Sequence, residues 1–359
     1  MNKNILVLAI AGVLAAPFAA QAGAEVYGKA HVAVGQTDNG ATSNGDSLEM
    51  LSNGSNIGFR GDEDLGNGLS AIYQAEVGYN FDGAAAGTPN AGWATAGGRN
   101  SYVGLKGDWG KAVVGRHDNP YKLSTGRMDP FSDTQGDYNA IMGFSPNGVA
   151  HDTRTSNSIM YVSPNLSGFT VMGMYGVNDR RDAGSATRDR SELSVGATYN
   201  AGPLFVGGAW QSLNEQGDLV GTAYEDDVAI KIGAGYTLAE ATTFNVAYET
   251  IDTGGTNKDR TGIFAGVDHK MGANTLALTY AMADDVGSTA NSGATQVALG
   301  AFHSLSKATQ VYALYSQLSR DEAASTPGYG IFFSGASPVT LNESGSALMV
   351  GVTHNFSSK

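Results

Sequence analysis

Three carboxylates spaced four apart, Asp129, Asp133 and Asp137 in "DPFSDTQGDYNAIMG", form a regularly spaced group of chemically capable side chains in this sequence. Two cations, Lys122 and Arg127, stand just upstream in the same segment. Bond-making chemistry finds no support around them. The chain has no G-x-S-x-G elbow and no H-E-x-x-H pair. Cysteine is absent, and His31, His117, His151, His269, His303 and His354 are scattered without ligand spacing. "ADDVG" and "YEDDV" are acidic but lack the ligand spacing of a calcium loop. They read as solvated loop ends, with weak divalent binding as the alternative. The expectation is therefore no enzyme, no metal and no cofactor.

These charges lie in an aperiodic segment, Asp118 to Thr153, within a chain that otherwise alternates strands and turns. Structureless loops this long are uncommon and usually functional or disordered. Elsewhere a period of two recurs. "TTFNVAYET" sets Phe244, Val246 and Tyr248 against Asn245, Ala247 and Glu249. "NTLALTYAM" and "ALMVGVTHNF" repeat the pattern, so one face meets something apolar and the other something wet. Sixteen such runs begin near residues 25, 56, 69, 98, 111, 154, 169, 191, 204, 227, 242, 260, 275, 295, 309 and 346. Seven connections are tight ("EDLGNGL", "GDWGK", "SPNLSG", "NAGP", "LAEAT", "KMGAN", "SLSKAT"), and the eight between them are long and polar. This is an up-and-down meander, and closing it removes its two exposed edges. In lipid, closure is obligatory. The expected fold class is all-β: a 16-stranded antiparallel transmembrane β-barrel. A soluble sandwich or propeller is the alternative, but it needs a dry inner face. Here that face is Gly, Thr, Asn, Gln and Glu.

The first residues read as an export leader: Lys3, an apolar run from Ile5 to Leu14 too short to span a bilayer, and small residues at Ala20 and Ala22. A signal peptide over 1–22 is expected, with cleavage after Ala22 or after Ala24, leaving 23–359 as the barrel. Glycine (50), tyrosine (16) and phenylalanine (13) suit strands and tight turns. The formal charge of −13 argues against nucleic acid as a partner.

"NIGFRGDEDLGNGLSAIYQAEVGYNF", "RNSYVGLKGDWGKAVVGRHDNPY", "DPFSDTQGDYNAIMG", "TRTSNSIMYVSP" and the final strand ending at Phe356 resemble, in order, the Gram-negative general diffusion porins. The resemblance covers essentially the whole mature chain. It implies a water-filled, homotrimeric barrel in the outer membrane of a Gram-negative bacterium. Its third long loop, 118–153 here, would fold inward. Such a barrel passes ions and small hydrophilic solutes passively and meets lipid and lipopolysaccharide. Barrels of 16 to 18 strands are indeed too wide for side chains to fill. Carried over, the resemblance puts Arg60, Arg99, Arg116 and Arg154 on the constriction wall, facing Asp129, Asp133 and Asp137 on the loop. Arg60 shares a strand face with Asn56 and Gly58, and Arg116 alternates with Val113 and Gly115. Asn56 stands where many relatives carry another arginine. Lys122 and Arg127 could neutralise part of the acidic rim. The alternatives are a substrate-selective porin, for anions or a nutrient, and a non-channel outer-membrane barrel acting as enzyme or adhesin.

Overall fold

The computed structural model describes residues 24–38, 46–81, 98–145, 150–177, 189–216, 226–254, 259–321 and 344–359. The leader expected over 1–22 lies outside them. The described residues contain seventeen strand segments in one sheet. The first six are β1 (Glu25–Asp38), β2 (Asp46–Ser52), β3 (Asn56–Gly66), β4 (Leu69–Gly78), β5 (Gly98–Gly107) and β6 (Gly110–Asp118). After the long loop come β7 (Arg154–Val162), β8 (Phe169–Val177), β9 (Asp189–Ala201), β10 (Leu204–Gln216), β11 (Asp227–Leu238) and β12 (Thr242–Asp252). The last are β13 (Arg260–Met271), β14 (Asn274–Ala283), β15 (Ala294–Ser304), β16 (Thr309–Arg320) and β17 (Gly345–Ser357).

β2 and β3 are two halves of one stave, because both pair with β1: Val32 with Ser52, then Lys29 with Asn56. The break at 53–55 is held to β1 by Asn53 N–H donating to the His31 carbonyl at 3.0 Å. Sixteen staves result, each antiparallel to the next, and β1 pairs with β17 to close the ring. The sequence reading starts this stave at 56 and misses β2. There Leu48 and Met50 are exposed and Leu51 is buried, a clear alternation. The following "SNGS", with Gly54 in the left-handed region at φ 63°, hides its continuity with β3.

A closed sheet has two sides, and here they differ chemically. Val246, Tyr248, Leu278, Tyr280, Val297, Leu299, Leu348 and Val350 are exposed on the outer side. Their neighbours Asn245, Glu249, Thr279, Gln296 and Ala298 are buried on the inner side. Such a continuous apolar outer belt is stable only against lipid or a partner. Exposed Trp109, Tyr161, Phe169, Tyr236 and Phe244 mark the short-turn end, and Tyr175, Trp210, Tyr248, Tyr280 and Tyr315 stand higher. Among the described residues no helix is long and apolar enough to cross a membrane, which says nothing about strands.

The aperiodic segment has structure of its own. Pro120–Thr125 forms helix α1, with Asn119 as its N-cap and proline in the first turn, where a missing N–H costs nothing. Short 3₁₀ turns follow at Gly126–Met128 and Tyr138–Ala140. The segment touches β1 on one arc and β9 to β13 and β15 on the other, always on the non-apolar side. A single loop can reach such separated arcs only from inside the ring.

The outer face generates a stability prediction. Leu278→Arg should lower the unfolding free energy in bilayers by roughly 2–4 kcal/mol. Denaturant titration of lipid-refolded protein measures this, and an unchanged midpoint would contradict a lipid-facing Leu278.

Candidate functional site

The inward segment is seated on the far wall by buried charge and by missing side chains. Glu249 on β12 accepts the Tyr121 hydroxyl at 2.9 Å and the Gly143 amide at 2.8 Å. The same carboxylate pairs with Arg260 of β13 at 2.8 Å, and both side chains are wholly buried. Arg260 also donates to the carbonyls of Ile141 (3.0 Å) and Phe144 (2.6 Å). Lys231 of β11 pairs with Asp152 at 2.6 Å and lies 4.2 Å above the Tyr121 ring. At the base, Asn119 donates to the His151 carbonyl at 2.8 Å and to Glu192 of β9 at 2.9 Å, while Gln211 of β10 holds His151 at 2.7 Å. Burial pushes the His151 ring down to about 4, against the hydrogen bond to Gln211, so it is neutral. Gly207 of β10 makes the close approach possible, because a Cβ there would overlap the Ser124 carbonyl oxygen.

Against the near wall the loop leaves a gap. One opening is lined by Lys122, Asp133, Asp137, Asn139 and Asp152 of the loop with Ser52, Asn53 and Gly54 of the wall. A second is lined by Arg99, Arg116 and Arg154 with Gly54, Ser55, Gly78 and Asn80. The two share Gly54, where positive φ and closeness to the Asp133 carboxylate, 2.8 Å from an ideal Cβ, both favour glycine.

Three of the four expected wall arginines thus meet at one opening. Arg99 pairs with Glu76, Arg154 with Asp118 at 3.2 Å, and Arg116 is held by the Gly98 carbonyl and Ser156. Arg60 is elsewhere. It pairs with Glu25 at 2.8 Å and lies over the Tyr27 ring, toward the short turns. The alternation that places Arg60 with buried Asn56 and Gly58 holds. For Arg116 it does not. Val113 packs in the inner cluster with Met160 and Met174, and the register shifts between Gly115 and His117, so parity cannot be carried across the bulge.

The three loop aspartates separate by role. Asp129 accepts the amides of Phe131 and Tyr138, both at 2.9 Å. Asp137 accepts those of Asn139 at 2.9 Å and Asp133 at 2.8 Å. Burial, with Asp137 nearby, pushes Asp129 well above the usual carboxylate range. Burial lifts Asp137 to about 6, opposed by its two backbone donors and raised further by Asp133. Asp133 is the charged rim. Burial would raise it, but Lys29, which pairs with it directly, together with Arg99 and Lys122 holds it below the ordinary value. Lys122 also lies 3.7 Å from Asp118. Arg127 does not reach this gap. It bonds Asn200 at 2.7 Å on the short-turn side.

Sequence reasoning missed Lys29, Glu76, Glu192, Lys231, Glu249 and Arg260 as parts of the site. Alternation carried a signal for some of them: Lys29 shares a face with buried His31 and Ala33, opposite exposed Val26 and Val34, and Lys231 stands between exposed Ile230 and Ile232.

Residues 6–323 match the family model described as Gram-negative porin. Outer membrane porin protein 32 of Delftia acidovorans is 29% identical, covering 99% of this chain and all of that protein. Major outer membrane protein P.IB of Neisseria meningitidis is 34% identical over 220 residues, 59% of this chain; the chain spans about 60% of that protein's length. Among solved structures, the anion-selective porin from Comamonas acidovorans superposes with TM-score 0.76 at 24% identity, over 93% of this chain and 99% of that one. The trimer form of OmpT from Vibrio cholerae gives TM-score 0.66 at 17% identity, over 94% and 100%.

The seat can be tested through Glu249→Ala, which strands Arg260 without its buried partner, a loss of about 3–5 kcal/mol. Amide exchange of Ile141 to Gly143 should accelerate at least about tenfold, since 1.4 kcal/mol already gives that factor. Unchanged protection would remove Glu249 from the seat.

Proposed function

The chain belongs to the Gram-negative porins, and from that premise we propose that it forms a water-filled channel in the outer membrane for passive diffusion of ions and small hydrophilic solutes. The observation that carries this reading is the gap around Gly54. Five cations, Lys29, Arg99, Arg116, Lys122 and Arg154, surround it with four carboxylates, Glu76, Asp118, Asp133 and Asp137. Asp152 and Lys231 cancel as a buried pair. Charge of opposite sign on the two sides of a narrow aqueous gap sets up a transverse field that orients water and polar solutes. The cationic excess admits anions more readily than cations, as rings of charged side chains do in other pores. Arg99, Arg116 and Arg154 serve as the wall, Asp133 as the loop's charged edge, and Lys29 clamps that edge to the wall. Asp129 and Asp137 shape the loop, and Arg60 lies beyond the narrowing.

The Comamonas acidovorans porin, described as anion-selective, supports the same preference. The channel is nonetheless a general one with a graded preference, since the gap presents charges to open water. The trimer form of OmpT supports a homotrimer, with lipid and lipopolysaccharide around the outer belt.

Purified protein in planar bilayers under a salt gradient should give a reversal potential of anion-preferring sign. Lys29→Gln and Arg99→Gln should each lower the anion-to-cation permeability ratio about two- to fivefold, the scale of one screened charge at contact distance. Asp133→Asn should raise it, and unchanged ratios in all three would overturn the constriction assignment.

Asp137 adds a pH dependence. It faces Asp129 and Asp133 within the loop and Lys122 across the opening. Its raised value means the folded chain holds a proton that an unfolded aspartate releases earlier. Its stabilising contribution is therefore complete below the ordinary carboxylate range and is lost as pH rises through about 6. Over the same interval the gap gains a negative charge. Anion preference should fall with a midpoint near pH 6, and Asp137→Asn should abolish the step. A step of equal size in that variant would assign it to another group.

A further inference from the structure

We propose that a second station, binding small zwitterions that carry an ammonium and a carboxylate, lies on the short-turn side of the loop, where Arg127 and Asp268 line one cavity. The cavity, about 230 Å³, is lined on the barrel wall by Asn200, Phe205, Thr243, Asn245 and Asp268, and on the loop by Arg127. The wall residues come from the short-turn ends of β9, β10, β12 and β13. The site is thus separate from the charged gap at Gly54, on the opposite arc of the ring.

Each charge is fixed in place yet keeps open capacity. The Arg127 guanidinium lies over the Phe205 ring at 4.5 Å and donates Nη1 to Asn200 Oδ1 at 2.7 Å. Four of its five N–H donors are left by that bond. Among the described residues no carboxylate pairs with it. Asp268 is hydrogen-bonded by Thr243 and has no cation in pairing range among the same residues. Two opposite charges on one small cavity would collapse into an ion pair if they could reach. Here Phe205 and Asn200 hold one back and Thr243 the other. A gap between fixed, unpaired, opposite charges matches a solute with both charges on one short skeleton. Carboxylate would meet the guanidinium fork, ammonium the Asp268 carboxylate, and Asn245 supplies a further polar contact. A solute leaving the narrowing would pause here before the mouth, which rests on the channel reading above.

The test uses the full chain, folded in detergent, with binding read by NMR saturation transfer to L-alanine, acetate or methylammonium, so that it does not depend on conduction. Alanine should half-saturate at a concentration at least about tenfold below either single-charge probe, the scale of one added charge-assisted contact. Arg127→Gln and Asp268→Asn should each weaken alanine about tenfold. Arg127→Lys, which keeps the charge but loses the fork, should fall between. Equal half-saturation by alanine and acetate would reduce the cavity to a simple anion contact and overturn the station. So would alanine binding untouched by both variants. Chloride conductance of the same preparations in bilayers tests the channel reading separately: current without alanine binding sinks only the station, and alanine binding without current sinks only the channel.

Discussion

Twelve paired positions between β1 and β17, from Tyr27 with Ser357 to Asp38 with Ser346, join the ends of the sheet. A closed sheet of this many staves encloses more space than its own inward side chains can fill. Two needs follow from that geometry. The outer face has to be apolar because it meets lipid, and closure pairs the edge amides that lipid could not satisfy. The inner face has to receive something, and the chain supplies residues 119–145 and 150–152 of the segment between β6 and β7. The inward glycines of β10, β11 and β15 are consistent with this. At Gly207, Gly233 and Gly300 an added Cβ would run into Ser124, Met128 and Phe131 of the loop.

Seating the loop by charge has an energetic logic. Arg260 with Glu249 and Lys231 with Asp152 are removed from water almost completely. Desolvating two ions can cost more than their attraction returns, so such pairs are weak evidence of net stability. Losing one partner, however, leaves a bare buried charge. The loop is therefore disfavoured from sliding or lifting, because any displacement breaks several such contacts together. Apolar anchors alone, Phe131 against Phe302 and Tyr138 against Phe264, would tolerate sliding more readily. The ion pairs fix where the loop's other edge falls, and hence the width of the gap at Gly54.

Much of this is legible in the residues. Alternation with turn spacing marks the staves, as at "TTFNVAYET", where the exposed and buried sets are those read from the letters. It fails where the backbone departs from period two. β2 is hidden behind the glycine break at 54, and Arg116 joins Arg99 and Arg154 although Val113 also faces inward, because the register shifts after Gly115. The loop's acids are visible as a cluster of three, but their roles depend on which backbone amides fold back onto each carboxylate. No spacing encodes that. Lys29 carries a readable signal, a lone lysine on the buried face of β1, yet its partner Asp133 is 104 positions away and only the fold joins them.

The division of labour among the three aspartates follows from one turn. Asp133 sits in the left-handed region at φ 60°, uncommon for a residue with a side chain. Its amide is held by the Asp137 carboxylate, and its own carboxylate is held by Lys29. Asp129 ties the same turn from the other side through the amides of Phe131 and Tyr138. Two acids are thus spent as backbone acceptors so that the third can be presented at the gap. An ionised acceptor bonds an amide more strongly than a neutral one. Protonation of Asp137 therefore acts on the narrowing twice, by removing a charge near it and by loosening the turn that aims Asp133. The charge of the gap and the conformation of its edge are coupled through a single carboxylate.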